Sequence, residues 1–394
     1  MARPRILRAL FRLTAVLAIV TACTAPSHAL PQFSRIYQTS CNTCHTVVPR
    51  LNLTGMDFLA RGYRPAPQLN RKRTDSLPVG GWLSGRYDDQ IGKGHNNTYF
   101  NKAEIIAADS VGSNFSYMAE WRVFDLEAQS NGTLRDRSGR FEDLWASWQL
   151  SSRLTFTIGQ YRPLGQVEAG RKVSISTPAI FDTSLAGHGK TARLKSVDGY
   201  SPNTRSPGLT LSYQSIGGRM NDLAMNGLFH QVTVPFVGEI SAPLSANARH
   251  NASFEFQPRA KGVVLETWYR HNYNSIGVNG FIDSDRYMVN TVGQLNQGDL
   301  FVTGGIGFAK LNGQATRMTS TLELEYLPTL SDQAFRPGFG VRVDNVSHNH
   351  SKPAVVPYLV LATPNTKGFT SLIQLEYYGQ PKNERFRVDL SAMF

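Results

Sequence analysis

The chain has 394 residues, 41 of them Lys or Arg against 29 Asp or Glu, a formal charge of +12, with three cysteines. The basic residues are scattered and form no long block, which argues against nucleic acid as a partner. Past the amino-terminal leader, no uninterrupted apolar run approaches the roughly 20 residues that a membrane-crossing helix needs.

In chain order, residues 1–29 read as a signal peptide. Arg3, Arg5, Arg8 and Arg12 make a basic start, Leu13 to Val20 supply the apolar stretch, and Ser27-His28-Ala29 fits a small-x-small cleavage site. Val20-Thr21-Ala22-Cys23 offers a rival, lipoprotein-type site that would leave a lipidated Cys23. Both routes predict export. Loss of the four leader arginines lowers the charge from +12 to about +8. That remainder suits anionic lipid headgroups, although a scattered solvated surface accounts for it more simply.

Residues 30–79 hold Cys41-Asn42-Thr43-Cys44-His45. C-x-x-C-H is the attachment sequence for a single, covalent c-type haem. Its two thiols close thioethers onto the vinyl groups, and the adjacent His45 is the metal ligand on the iron. A zinc site would need four ligands, and no second Cys/His pair at metal spacing follows. A thioredoxin-like motif would sit in a βαβ pattern, which is missing here. A helix is predicted to open at Cys41–His45. Pro49 then suits the first turn of a second helix carrying Leu51, Met56, Phe58 and Leu59 and ending near Gly62. Pro65, Pro67 and Arg71-Lys72-Arg73 read as a linker. Met56 is the sixth-ligand candidate nearest in sequence, with His95 and His188 as alternatives. A Met on an apolar helix face is more often core, and a loop histidine is more often surface. His348-Asn349-His350 is a weak metal signal.

Residues 80–394 alternate polar and apolar residues with period two. Leu322, Leu324 and Tyr326 interleave with Glu323 and Glu325; Phe339, Val341 and Val343 with Arg342 and Asp344; Ile373, Leu375 and Tyr377 with Gln374 and Glu376. The last run alternates Phe386, Val388, Leu390 and Ala392 with Arg387, Asp389 and Ser391 before Phe394, an ending that resembles an outer-membrane barrel insertion signal. The fold class expected is therefore all-β: a transmembrane outer-membrane β-barrel of about 16 antiparallel strands, preceded by a small α-helical haem segment. The expected strands are 81–89, 98–110, 115–125, 141–150, 153–161, 207–216, 223–235, 248–257, 262–273, 285–296, 299–309, 317–327, 337–347, 354–363, 367–378 and 384–394. Long connections are expected at Leu126–Arg140, Arg162–Ser206, Phe236–Asn247 and Asn274–Ser284, and short ones at Val111–Asn114, Ser151–Ser152, Gly217–Asp222 and Pro258–Lys261. The lumen acids Glu323, Glu325, Asp344, Glu376 and Asp389 read as solvation of a wet channel, and Arg342 and Arg387 as possible partners of haem propionates. About fifty residues are few for an independent core, so the haem segment should use the barrel mouth or lumen as its missing wall.

Pro31-Gln32-Phe33-Ser34-Arg35-Ile36-Tyr37, the C-x-x-C-H, Pro49-Arg50-Leu51-Asn52, Gly55, Phe58 and Gly62-Tyr63 together resemble the opening of the monohaem porin–cytochrome fusions, whose best-known members are outer-membrane cytochromes of iron-oxidising bacteria. The match is specific over Pro31 to Tyr63 and architectural over the barrel. It implies one c-type haem at or inside a porin-like barrel in the bacterial outer membrane, contact with lipid, and electrons passing between an extracellular donor or acceptor and a periplasmic c-type cytochrome or other carrier. An external donor such as Fe(II) would make the chain an Fe(II):cytochrome c oxidoreductase. The resemblance does not itself imply iron, and Met56 stands where that family would place a polar residue. A porin for solutes with the haem segment as plug or redox gate, and an outward-running reductase, are the other readings.

Overall fold

Leu322 and Glu323 are neighbours in the chain, yet Leu322 is 59% exposed and Glu323 only 4%. A pleated strand divides its side chains between two faces in this way, and here the division runs around a closed wall. The computed structural model describes residues 31–64, 76–89, 98–128, 133–162, 173–181, 205–214, 227–237, 257–260, 262–284, 286–311, 316–328, 336–346, 353–363, 370–380 and 384–394. The expected leader with Cys23, the basic triplet 71–73, and His95, His188, His348 and His350 lie outside the described residues.

The amino-terminal segment comprises α1 (Pro31–Tyr37), a 3-10 turn (Cys41–Thr43), a two-stranded ladder of β1 (His45–Val47) and β2 (Arg50–Leu51), and α2 (Leu53–Ala60). The wall follows as β3 (Val79–Asp88), β4 (Thr98–Val111), β5 (Phe115–Ala128), β6 (Leu134–Asp136), β7 (Arg140–Gln149), β8 (Leu154–Tyr161), β9 (Ser206–Gln214) and β10 (Gly227–Val237). It continues through β11 (Gln257–Ala260), β12 (Val263–His271), β13 (Asn274–Ile282), β14 (Arg286–Gln297), β15 (Leu300–Leu311) and β16 (Arg317–Tyr326). β17 (Arg336–Val346), β18 (Ala354–Ala362), β19 (Thr370–Tyr378) and β20 (Arg385–Met393) complete it.

Sixteen of these strands form a closed antiparallel barrel. The short β6 and β11 sit beside the ring, because β5 also pairs with β7 and β10 with β12. The seam joins β20 to β3, with Met393 opposite Trp82 and Arg387 opposite Asp88. Beyond it, Phe394 and Gly81 exchange two backbone hydrogen bonds of 3.0 and 2.7 Å. Closure leaves the sheet without an edge, which a strand wall in hydrocarbon requires. Outward positions carry exposed apolar side chains, among them Phe100, Ile105, Leu265, Val278, Leu324, Val341 and Phe386. So broad an apolar exterior is a liability in water and the right surface for lipid.

The strand count agrees with the expected sixteen, but its membership does not. Residues 274–284, expected as a connection, contain β13. Of the expected strand 248–257 only Gln257 is described, as the start of the short β11, and β10 pairs directly with β12, Thr233 opposite Val264. β13 is short of strand-like side chains because its neighbours supply the bulk. A Cβ on Gly277 would come within 2.1 Å of the Trp268 ring.

The segment before the wall is also less helical than expected. Cys41–His45 forms one 3-10 turn leading into β1 rather than a helix, and Leu51 belongs to β2. The second helix starts at Leu53 instead of near Pro49, because Asn52 caps it: its Oδ1 accepts the Gly55 N–H at 3.1 Å. The end near Gly62 is as expected. Gly62 takes φ +63°, Tyr63 N–H bonds Phe58 C=O and Gly62 N–H bonds Leu59 C=O, the paired closure of a Schellman C-cap.

Candidate functional site

The turns 112–114, 150–153, 272–273 and 298–299, the start of β3 and the end of β20 share one mouth of the barrel. Residues 31–64 are packed into that mouth as a plug. On one side Phe33 and Phe58 meet edge-to-face at 4.8 Å, Tyr63 stacks on Trp145 at 5.7 Å, and the group closes over Ile106, Ala108 and Met118 of β4 and β5. Arg64 Nη1 donates to Asn114 C=O and Ser116 Oγ at 3.3 Å each. Burial, with Arg61 nearby, brings the Arg64 guanidinium down to about 10. On the other side Val47 packs among Phe301, Leu327, Tyr358, Val360, Ala362 and Leu372. Arg50 lies over the Phe301 ring at 4.9 Å and pairs with Glu325 at 3.3 Å, and Arg336 donates to Thr46 C=O at 3.2 Å. The plug therefore uses the barrel lumen as its missing wall.

One signal for this contact was present in the strands themselves. Inward positions are polar over most of the wall but turn apolar beside the plug: Ile106 and Ala108 follow Glu104, and Val360 and Ala362 follow Tyr358. The run Tyr358–Ala362 is apolar on both faces, the mark of a strand covered inside as well as outside.

Within the plug, Cys44 N–H bonds Cys41 C=O at 2.9 Å, which fixes the tight turn of the C-x-x-C-H. Neither sulfur is in a disulfide. Cys41 is buried beside Val48, Met393 and Trp82, its Sγ 3.7 Å from Thr370 Oγ1. Burial, with Cys41 adding to it, pushes the Cys44 thiol up to about 12. His45 Nδ1 lies 3.1 Å from Pro49 C=O, so Nε2 is the nitrogen that would meet an iron. Helix α2 closes onto this turn through Gly55, where any Cβ would stand 2.1 Å from Cys44 C=O. A cavity of about 300 Å³ is lined by Pro49, Trp82 and charged side chains that include Arg86, Lys102, Arg122, Asp125 and Arg140, with none of Cys41, Cys44 or His45 on its wall, and the Trp82 indole N–H is buried without a partner. Two unlinked thiols and an oriented imidazole in one tight turn are the donor set that a c-type haem takes. Among the described residues no group of three or more His, Cys, Asp or Glu is placed to hold a metal ion.

Met56 follows Gly55 on α2. It lines a second cavity of about 170 Å³ with Tyr63, Met118 and Trp145.

Beyond the plug the lumen is narrowed by residues 173–181, which fold inward onto β16–β19. Arg342 Nη1 donates to Ser174 Oγ at 2.7 Å and Nη2 to Ser176 Oγ at 2.6 Å. Glu376 accepts the Ser176 N–H, and Asp344 the Ala179 N–H. Arg342 is fully buried and bonds Asp344 at 2.7 Å, so it is committed to this segment rather than open to propionates. Arg387 stands 4.0 Å from Asp88 and Glu376. The lumen acids face inward as expected, but they are buried and engaged instead of lining an open channel. Tyr358 Oη lies 2.8 and 3.0 Å from Glu323 and Glu325, and Arg86 binds Asp389 through two 2.6 Å bonds.

No protein-family model matches the chain, and no curated protein does. Among solved structures, the anion-selective porin from Comamonas acidovorans aligns over 81% of this chain and 98% of its own, at 10% identity and a TM-score of 0.49. The outer membrane channel DcaP of Acinetobacter baumannii aligns over 80% and 96% at 10% identity, TM-score 0.43. A loop-deletion mutant of OmpT from Vibrio cholerae aligns over 81% and 98% at 8% identity, TM-score 0.44. These are likenesses of outline, and no solute or selectivity is carried over from them.

Proposed function

We propose that this chain is a porin-type barrel of the bacterial outer membrane, closed from the periplasmic side by a redox-active plug. The barrel and its plug have the most direct support; the cofactor and the electron traffic rest on the C-x-x-C-H. The observation that carries the reading is the placement of that motif: it is built into the stopper of a lipid-facing barrel, at the mouth formed by the short turns, which such barrels turn to the periplasm.

Bound there through Cys41, Cys44 and His45, a single covalent haem would supply one-electron chemistry. The protein's own contribution is to hold that centre at a membrane crossing. A hydrocarbon layer of about 30 Å keeps a periplasmic carrier from an external donor, and a site set inside the mouth shortens the gap from both sides. Each Fe(II) oxidised to Fe(III) outside would send one electron to a periplasmic c-type cytochrome or comparable carrier. This is the traffic that the resemblance to the monohaem porin–cytochrome fusions implies. The second reading, a solute porin with the segment as plug or redox gate, is favoured by the inward-folded residues 173–181 and the cavities of about 170 and 300 Å³ beside the plug.

Purified haem-loaded protein in liposomes containing oxidised cytochrome c separates the two. With ferrous iron added outside, the conduit reading expects internal cytochrome c to be reduced and the haem spectrum to change. Solute entry without electron entry would leave the plugged porin, and absence of covalent haem after export alongside a c-type maturation system would remove the redox reading altogether.

A further inference from the structure

We propose that Arg64, Ser116 and Ser147 form a binding site for a small oxyanion at the junction of plug and wall. The bound anion clamps the end of the plug to β5 and β7. This rests on the reading that residues 31–64 stay in the mouth, and it adds a ligand that secures them there. Arg64 is only 4% exposed, yet among the described residues no carboxylate pairs with it. Other arginines of the lumen hold acids: Arg86 has Asp389, Arg122 has Glu104 and Arg342 has Asp344. A buried charge without a counter-charge is costly, and Arg61 close by adds repulsion. Lowered to about 10, the Arg64 guanidinium is still a cation at neutral pH.

The open edge of Arg64 sets the ligand class. Nη1 is committed to Asn114 C=O and Ser116 Oγ, and among the described residues nothing accepts from Nη2 or from the buried Nε. Arg86 shows what that edge takes in this molecule: its Nε and Nη2 bind the two Asp389 oxygens at 2.6 Å each. Arg385 meets Asp88 with the same two nitrogens. The matching ligand is an anion that presents two oxygens, a phosphate or a small carboxylate.

The wall supplies two more donors. Ser116 and Ser147 are both buried and stand opposite each other on β5 and β7. A Cβ on Gly62 would lie 3.0 Å from Ser116 Oγ, 3.5 Å from Ser147 Oγ and 3.8 Å from Arg64 Nη2, so these atoms converge over a residue without a side chain. Ser116 Oγ accepts from Arg64, and Ser147 Oγ accepts from Thr157 Oγ1 at 3.2 Å, so each hydroxyl keeps its own proton to donate. The cavity of about 170 Å³ reaches Gly62 and Ser147, and its one carboxylate, Asp143, is held by Arg205 at 2.9 Å. Arg64 is tied to the turn 112–114, whose residues are exposed, so the site lies next to solvent at that mouth.

Full-length, haem-loaded protein in detergent tests this by chymotrypsin digestion while chloride is exchanged for phosphate or formate at constant ionic strength. Phosphate or formate should slow cleavage within residues 31–64 several-fold and saturably, and raising chloride alone should not. Phosphate acting alone identifies a tetrahedral oxyanion, and formate acting equally well a carboxylate. Arg64→Gln should remove the response. Should that variant fail to seat the plug, Ser147→Ala, which alters the wall alone, should raise the half-protecting concentration about tenfold, the loss of one hydrogen bond to a charged group. Slow cleavage that no anion changes, or equal slowing by chloride, overturns the site and leaves the plug seated. Fast cleavage under every condition overturns the seated plug as well.

Discussion

The wall and the plug of this molecule hold their shape by different means. The wall rests on backbone ladders repeated around a closed ring, so each strand needs only the right alternation, and individual side chains are interchangeable within it. The plug has helices of seven and eight residues, too short to persist alone, and a ladder of two residue pairs. It is fixed by particular side chains reaching the lumen wall: the Phe33–Phe58–Tyr63 group on one side, Val47 and Arg50 on the other. A repeated pattern specifies the first region and named contacts specify the second.

That contrast is broken most sharply by separating cofactor from barrel. Replacing Cys41 and Cys44 together by Ser should abolish covalent haem, read by haem staining of denatured protein, while heat-modifiable migration of the barrel is unchanged. Loss of both would mean that the wall depends on the plug. Next, Glu325→Ala leaves Arg50 without its carboxylate inside the mouth, and stranding a buried charge costs about 3 kcal/mol. Protease cleavage within residues 31–64 should rise, with the barrel resistant. Leu322→Arg should do the opposite, costing about 2–4 kcal/mol of barrel stability on the lipid face. Its urea midpoint should fall with plug protection retained until the barrel itself opens. Asn52→Ala removes the cap of α2 at a cost of about 1 kcal/mol, visible as lower haem incorporation and not as lower barrel yield.

The smallest effect is a titration. Folding raises the Cys44 pKa to about 12, above the ordinary thiol value of roughly 8.5. The neutral thiol is therefore the form that the plug favours. Its contribution is complete below the unfolded value and is lost as pH rises from there through 12. In haem-free protein, alkylation of Cys44 at pH 9 should be far slower than in urea, and equal rates would show the plug to be open.

The wall was legible because lipid outside and polar lumen inside impose period two; Leu322 to Tyr326 reads correctly from letters alone. It failed at β13, where Gly277 yields its space to Trp268, and a strand completed by its neighbour's bulk leaves little trace in its own residues. In the plug, the Cys41–His45 motif and the stop at Gly62 were legible because each is a local requirement. The ladder of β1 and β2 was not, since its only support is tertiary. The Arg50–Glu325 pair joins residues distant in the chain, and nothing near either of them announces the other. The inward fold of residues 173–181 left no mark beyond the expected long connection Arg162–Ser206.

The packing of Cys41 also carries a timetable. Its sulfur is sealed against Thr370 and Met393, on the last two strands of the chain. A maturation enzyme that must grip the thiol and a macrocycle together has no approach once those strands have joined β3. Haem attachment at this position, as proposed, would therefore have to precede closure of the barrel, while the chain is still unassembled in the periplasm.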